Sequence, residues 1–306
     1  MKKINFGSSS VQVSAIAMGC MRLRDLSVES AVKIIDTAME EGINFFDHAD
    51  IYGGGICEER FEAAVKEAGI HREDMWIQSK CGIVPGVMFD FSKEHIIKSV
   101  EGSLKRLGTE YLDSLLLHRP DALMEPEEVA AAFDELHASG KVRYFGVSNQ
   151  NPMQIELLKK YVNQPLMVNQ LQFGVAHSSM IQSGLEVNMV TPGSVNRDGS
   201  VLDYCRLHDM TIQAWSPFQY GMFEGVFLNS DKFSKLNQKI REIAGHYGVS
   251  DTTIATAWIL RHPAHMQVLS GTMNPERLHQ MCQACEICLT REEWYGVYMA
   301  AGNILP

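Results

Sequence analysis

Eight short apolar runs recur along the chain, each followed by a stretch with helical periodicity. They are VSAIAMG (13–19), INFF (43–46), MWIQS (75–79), LDSLLL (112–117), VRYFGV (142–147), LMVNQ (166–170), MTIQAW (210–215) and MQVLS (266–270). Strands this continuously apolar are buried on both faces, which happens when helices cover a parallel sheet on its outer side. Eight strand–helix repeats predict a closed (β/α)8 barrel. An open doubly wound sheet is the alternative, but it would place G-x-G-x-x-G after the first strand, where the chain reads GCMRLR.

The helical stretches carry their own punctuation. Ser27 caps a helix with an apolar face at Val28, Val32, Ile35 and Met39, and Gly42 stands at its left-handed C-terminal position. Pro126 follows Glu125 and Gly140 closes that segment, while Asn151-Pro152 and Asn274-Pro275 each place a cap before a first-turn proline. MKKINFGSSSVQV reads as a hairpin turning at Gly7-Ser8 that covers the barrel bottom. Residues 173–200 and 216–250 are too long for simple connections and are expected to form substrate or cofactor loops. No linker divides the chain, so one barrel domain is expected across residues 1–306.

A net charge of −10 with no Lys/Arg cluster argues against nucleic-acid and anionic membrane surfaces, which need cations to displace counterions. The N-terminus lacks a signal-peptide pattern and no run approaches a membrane span, so a cytoplasmic protein is expected. Seven cysteines without a regular framework fit a reducing compartment. Cys282, Cys285 and Cys288 have the spacing of an iron–sulfur run, but the place of a fourth cysteine holds Glu292, and a buried helix face is the simpler reading.

In a barrel, chemistry belongs at the C-terminal strand ends. Those ends carry Asp47 and Tyr52, then Lys80, His118, Ser148-Asn149, Gln170, Trp215-Ser216 and Ser270-Gly271. Each alone has a dull explanation as a turn or rim residue, and Asp47, His48 and Asp50 could be read as metal ligands. Their joint placement at equivalent ends is what carries weight. A strand-end H-x-H is absent and Lys80 would set a cation beside any metal, so no metal is expected.

The ordered set of FFDHADIYG, IQSK, LLLHRP, GVSNQ, VNQLQFG and AWSPF resembles the aldo-keto reductases, over about residues 5–290. The resemblance implies a monomeric, metal-free, NADPH-dependent carbonyl reductase with Asp47, Tyr52, Lys80 and His118 as its catalytic set. A free phenol has a pKa of about 10, so Tyr52 needs its phenolate stabilised; a Lys80 ammonium held by Asp47 would do this, and His118 would polarise the carbonyl oxygen. His48 and Asp50 then become neighbours rather than ligands.

By the same resemblance, Ser148, Asn149 and Gln170 hold the nicotinamide carboxamide, and Trp215, with Ser216 beside it, stands where an aromatic ring stacks on the nicotinamide. Gly271, Thr272, Arg277 and Gln280 would meet the phosphate and adenine end, with Arg277 paired to the 2′-phosphate of NADPH. The chain departs from the family pattern there: a frequent lysine is replaced near Gly271, and Glu-Asn becomes Gln280-Met281. Met21, Phe89, Phe91, Phe218 and Phe223 are candidates for an apolar pocket accepting aldehydes or ketones, and a long C-terminal specificity loop is expected to be missing, giving an open site. The rival from another class is an NADPH-binding regulatory subunit, since the same fold serves as a partner of potassium channels; the complete tetrad and the lack of an extended N-terminal arm favour the enzyme.

Overall fold

The computed structural model describes residues 1–222 and 224–305. Phe223, one of the pocket candidates, lies outside the described residues. Eight parallel strands form a closed barrel: β1 (Ile16–Gly19), β2 (Phe45–Asp47), β3 (Trp76–Cys81), β4 (Leu112–Leu117), β5 (Val142–Ser148), β6 (Leu166–Gln172), β7 (Thr211–Trp215) and β8 (Gln267–Ser270). Neighbours in the chain are neighbours around the ring, and β8 closes on β1 through Val268–Ile16, Leu269–Ala17 and Ser270–Met18.

The first apolar run is divided rather than continuous. Gln12–Ser14 pairs antiparallel with Lys3–Asn5 in the N-terminal hairpin, and β1 begins only at Ile16. Asn44 imposes the break: its side chain accepts from the Ser14 backbone N–H while the Ser14 hydroxyl accepts from its own N–H. The hairpin then folds beneath the barrel. Phe6, fully buried, packs against Phe45 and Trp76 with ring centres 6.0 and 4.5 Å away and so plugs the floor.

The covering helices begin with α1 (Val28–Glu40), α2 (Ile56–Ala68), α3 (Lys93–Leu107), α4 (Pro126–Ala138) and α5 (Pro152–Lys159). They continue with α6 (Ser179–Leu185), α7 (Val201–Leu207), α8 (Ser234–Tyr247), α9 (Asp251–Leu260), α10 (Pro275–Gln283) and α11 (Arg291–Ala300). The expected caps Ser27, Asn151 and Asn274 all accept from a backbone N–H three residues on. On α1 the fully buried stripe is Ala31, Ile34, Ile35 and Ala38, with Val28, Val32 and Met39 only half-buried at its margin. Small alanines let that face approach the strands closely, so the bulkier residues sit at the edges. The 216–250 insert is not loop throughout: it holds a short hairpin, Gln219–Tyr220 with Gly225–Val226, and all of α8.

Strand alternation sorts the side chains into two environments. Along β3, Trp76, Gln78 and Lys80 face the barrel interior, while Ser79 points outward to the buried carboxylate of Glu58 on α2, which also accepts from Arg106 on α3 at 2.7 Å. On β2, Phe46 and His48 face outward onto Phe61 of α2, leaving Phe45 and Asp47 inside.

Beyond β3 the chain turns at Gly82, whose φ of +104° suits glycine alone; an added Cβ would lie 2.2 Å from the Phe91 ring. Phe91 is fully buried there, which removes it from the pocket candidates: it packs the loop to the barrel instead of facing a ligand. Gly82→Ala is expected to lower stability by roughly 2 kcal/mol, from backbone strain and overpacking, and thermal unfolding would show this as a reduced Tm.

Candidate active site

The tetrad expected from the sequence converges at the C-terminal mouth, and Lys80 is its centre. Its ammonium is fully buried and has three protons to place. They go to Asp47 Oδ2 at 2.8 Å, the His48 backbone carbonyl at 2.7 Å and the Tyr52 phenol oxygen at 3.0 Å. Because Tyr52 accepts from Lys80, its own O–H remains available to donate toward the mouth. The left-handed run Gly53, Gly54 and Gly55 (φ 60°, 66° and 98°) turns the chain from Tyr52 straight into α2, which anchors that ring close to the strand end.

Asp47 is held from its other side. Its Oδ1 accepts from the Gln78 amide at 2.7 Å and from the Gln170 amide at 3.0 Å. Both amides also donate to Gln213 Oε1, at 2.8 and 2.9 Å, and Gln213 donates on to Gln267 at 2.8 Å. Gln267 in turn donates to the Ser14 carbonyl of the hairpin at 2.7 Å. A ladder of amides thus runs down the barrel axis from Asp47 to the floor. Gln78, Gln213 and Gln267 were not legible as site residues, because a glutamine within an apolar run carries no signal of its direction; strand alternation counted back from Lys80 would have placed Gln78 inside.

The titration behaviour follows from burial and charge. For Lys80, burial pulls its pKa down, but Asp47 and Tyr52 together outweigh this and leave it above its ordinary value. For Tyr52, burial pushes the pKa up and the Lys80 ammonium draws it only part of the way back, so the net direction is upward. The pull expected from Lys80 is present, yet the phenol stays firmly protonated at neutral pH. His118 lies edge-on to Tyr52, ring centres 5.8 Å apart, and burial followed by repulsion from Lys80 and Arg119 drives its pKa well below the usual imidazole range. His48, buried against Phe61 with neither ring nitrogen partnered, is pushed down to about 3 for the same first reason.

The expected nucleotide residues occupy the far side of the mouth. Asn149, in left-handed backbone (φ 56°), donates to the Ser148 hydroxyl at 2.7 Å and accepts from the Trp215 indole N–H at 3.3 Å. Ser148 donates to the Gln170 carbonyl at 3.1 Å, and Ser216 is likewise left-handed (φ 49°). Gln170 is buried, with its amide nitrogen given to Asp47 and Gln213. After β8, the Gly271 carbonyl accepts from Arg22 at 2.9 Å and Thr272 is buried, its hydroxyl accepting from the Asn274 N–H. Arg277 stands exposed in the first turn of α10, and Gln280 is engaged by Glu276 on the same helix at 3.2 Å. Among the described residues, no group of three His, Cys, Asp or Glu side chains could hold a metal ion; Cys282 is buried on α10 and Cys288 is exposed. Of the pocket candidates, Met21 and Phe89 are 43% and 45% exposed, and Phe218 packs against Phe227.

The profile of the Aldo/keto reductase family matches residues 15–297. The chain belongs to the aldo-keto reductase family. It is 34% identical to the uncharacterized oxidoreductase YcsN of Bacillus subtilis, with 96% of both chains covered. It is 33% identical to a 6-dehydroglucose reductase of Agrobacterium fabrum, again with 96% of each covered. A more distant relative is a putative voltage-gated potassium channel subunit beta of Schizosaccharomyces pombe, 27% identical over 92% of this chain and 87% of that one. Among solved structures, the thermostable aldo-keto reductase Tm1743 in complex with the inhibitor epalrestat superposes with a TM-score of 0.79 at 27% identity, covering 98% of this chain and all of that one. This aldo-keto reductase is therefore an oxidoreductase by family, on the family's barrel.

The neutral state of two buried histidines in this aldo-keto reductase can be read by NMR. The ring resonances of His48 and His118 should stay constant from pH 8 to 5, whereas His279, whose pKa is raised by its hydrogen bond to Glu41, should titrate in full view. Titration of His118 near its ordinary value would show the mouth to be wetter than this geometry.

Proposed function

We propose that this protein reduces aldehyde or ketone carbonyls to alcohols with NADPH, Tyr52 serving as general acid. The observation that supports it best is the spent ammonium: Lys80 donates all three protons, one of them to Tyr52, so the phenol proton remains free to point toward the mouth. NADPH, when bound, supplies the hydride that the carbonyl carbon takes up. Tyr52 gives its proton to the carbonyl oxygen as charge develops there, the Lys80 ammonium stabilises the phenolate that remains, and solvent returns the proton. His118, neutral, donates a hydrogen bond to the same oxygen.

The residues present fit this cofactor. Trp215 is half-buried beside Asn149, with an indole face suited to stacking on a planar ring. Ser148 and Asn149 offer both a donor and an acceptor for a carboxamide. At the opposite end, the Asn274-capped N-terminus of α10 and the exposed Arg277 suit a phosphate, the Arg being unpaired among the described residues. Gln170 serves this site chiefly through Asp47. The relatives named 6-dehydroglucose reductase favour an oxygen-rich small carbonyl over a macromolecular partner.

The same reading makes the protein a cytoplasmic monomer acting on a small molecule, without nucleic acid or membrane. Its acidic charge disfavours nucleic-acid and anionic membrane surfaces, and no helix among the described residues is long and apolar enough to cross a membrane. The regulatory alternative draws on the more distant channel-subunit relative, and tight NADPH binding by a protein inert toward every carbonyl would favour it.

Tyr52→Phe keeps the ring and removes the acid, so kcat should fall by about 10² to 10⁴ while the NADPH dissociation constant changes little. Wild-type turnover in that variant would overturn the assignment. Arg277→Ala should weaken NADPH binding about tenfold or more and leave NADH nearly unchanged, as fluorescence titration with both cofactors would show. An equal loss for both cofactors would assign Arg277 a structural role.

A further inference from the structure

Arg119 is a basic group beside the acid site that the proposed chemistry leaves unused. It follows His118 directly at the end of β4, yet its guanidinium lies 5.6 Å from the centre of the Trp215 ring at the end of β7. Those strands stand three places apart around the barrel, so the side chain reaches across the opening rather than out along the rim. Among the described residues it has no carboxylate partner and makes no hydrogen bond.

Arg119 is half-buried, so its guanidinium lacks the full hydration that an exposed unpaired cation keeps. Two other arginines near this rim are occupied: Arg22 donates to the Gly271 carbonyl and Arg24 pairs with Asp25, while Arg277 stands exposed at the phosphate end. Deeper in the mouth, Lys80 and Asp47 cancel each other and His118 is neutral. Arg119 therefore supplies the net charge that an entering molecule meets. Burial lowers its pKa and Tyr52 opposes this, which is consistent with a half-buried guanidinium close to the phenol. The guanidinium presents a planar fork of donors matched to carboxylate or phosphate oxygens.

We infer that Arg119 is a specificity residue that selects carbonyl compounds bearing an anionic oxygen group, carboxylate or phosphate, at the end remote from the reacting carbon. The inference rests on the reductase reading above.

The test compares matched pairs with NADPH: succinic semialdehyde against butanal, and glyceraldehyde phosphate against glyceraldehyde. Wild-type kcat/KM should favour the charged member of at least one pair by about tenfold or more, and the pair that shows it distinguishes carboxylate from phosphate. In Arg119→Met that ratio should collapse toward one, with Arg119→Lys keeping part of it. An unchanged ratio in Arg119→Met overturns the inference, as does an equal loss for neutral glyceraldehyde or a defect confined to NADPH affinity. Should wild type reduce none of the four, the reductase reading fails, and calorimetry of succinic semialdehyde and butanal binding to the NADP-loaded protein decides on Arg119. Tighter binding of the acid that Arg119→Met abolishes sustains its role; equal binding of both overturns it.

Discussion

A lysine ammonium with no solvent contact is the constraint around which the barrel mouth is arranged. Taking such a charge out of water costs several kcal/mol unless an opposite charge and hydrogen bonds replace the lost hydration. Asp47 supplies the charge, and the His48 carbonyl and Tyr52 oxygen supply the rest. Asp47 is then itself a buried charge, and its second oxygen must be satisfied by Gln78 and Gln170. Those amides need acceptors of their own, so the requirement passes to Gln213, Gln267 and finally the hairpin. What begins as the need of one side chain ends as a polar axis through a core that is otherwise aliphatic and aromatic.

This explains which parts of the molecule the sequence reveals. Strand number, helix caps and the four candidate residues Asp47, Tyr52, Lys80 and His118 are each signalled locally, by an apolar run, a cap before proline, or a polar residue where such a run stops. Asp47, Lys80 and His118 could be placed on one rim because a strand end is a position that counting can find. Gln213 and Arg119 depend on where a side chain points across the barrel, about which neighbouring sequence is silent. Phe91 shows the same limit from the other side: an aromatic in a loop reads equally as pocket wall or as packing, and only the close approach of Gly82 decides for packing. The division of the first run at Ser14 was hidden because the side chain responsible, Asn44, belongs to another element.

The outer shell supports the same strands by a separate device. Glu58 is fully buried between α2 and β3, bound by Ser79 and Arg106. Since Ser79 and Lys80 are adjacent, the ion pair behind the sheet and the one within it grip opposite faces of a single strand. That leaves β3 little freedom to slide, and a shift of one residue would exchange Lys80 for a serine inside the barrel. Rigidity of this strand fixes the Lys80 ammonium, and with it the Tyr52 phenol that accepts from it.

The pairing of β8 with β1 joins residues 268–270 to residues 16–18, and the amide ladder crosses the same seam from Gln267 to Ser14. On the ribosome these partners emerge at opposite ends of synthesis. Asp47, Tyr52, Lys80 and His118 are all made within the first half of the chain, but the floor beneath them is completed only when the last strand arrives. A nascent or prematurely terminated chain therefore holds a charged lysine without its full support, and quality control meets an open sheet edge rather than a closed barrel.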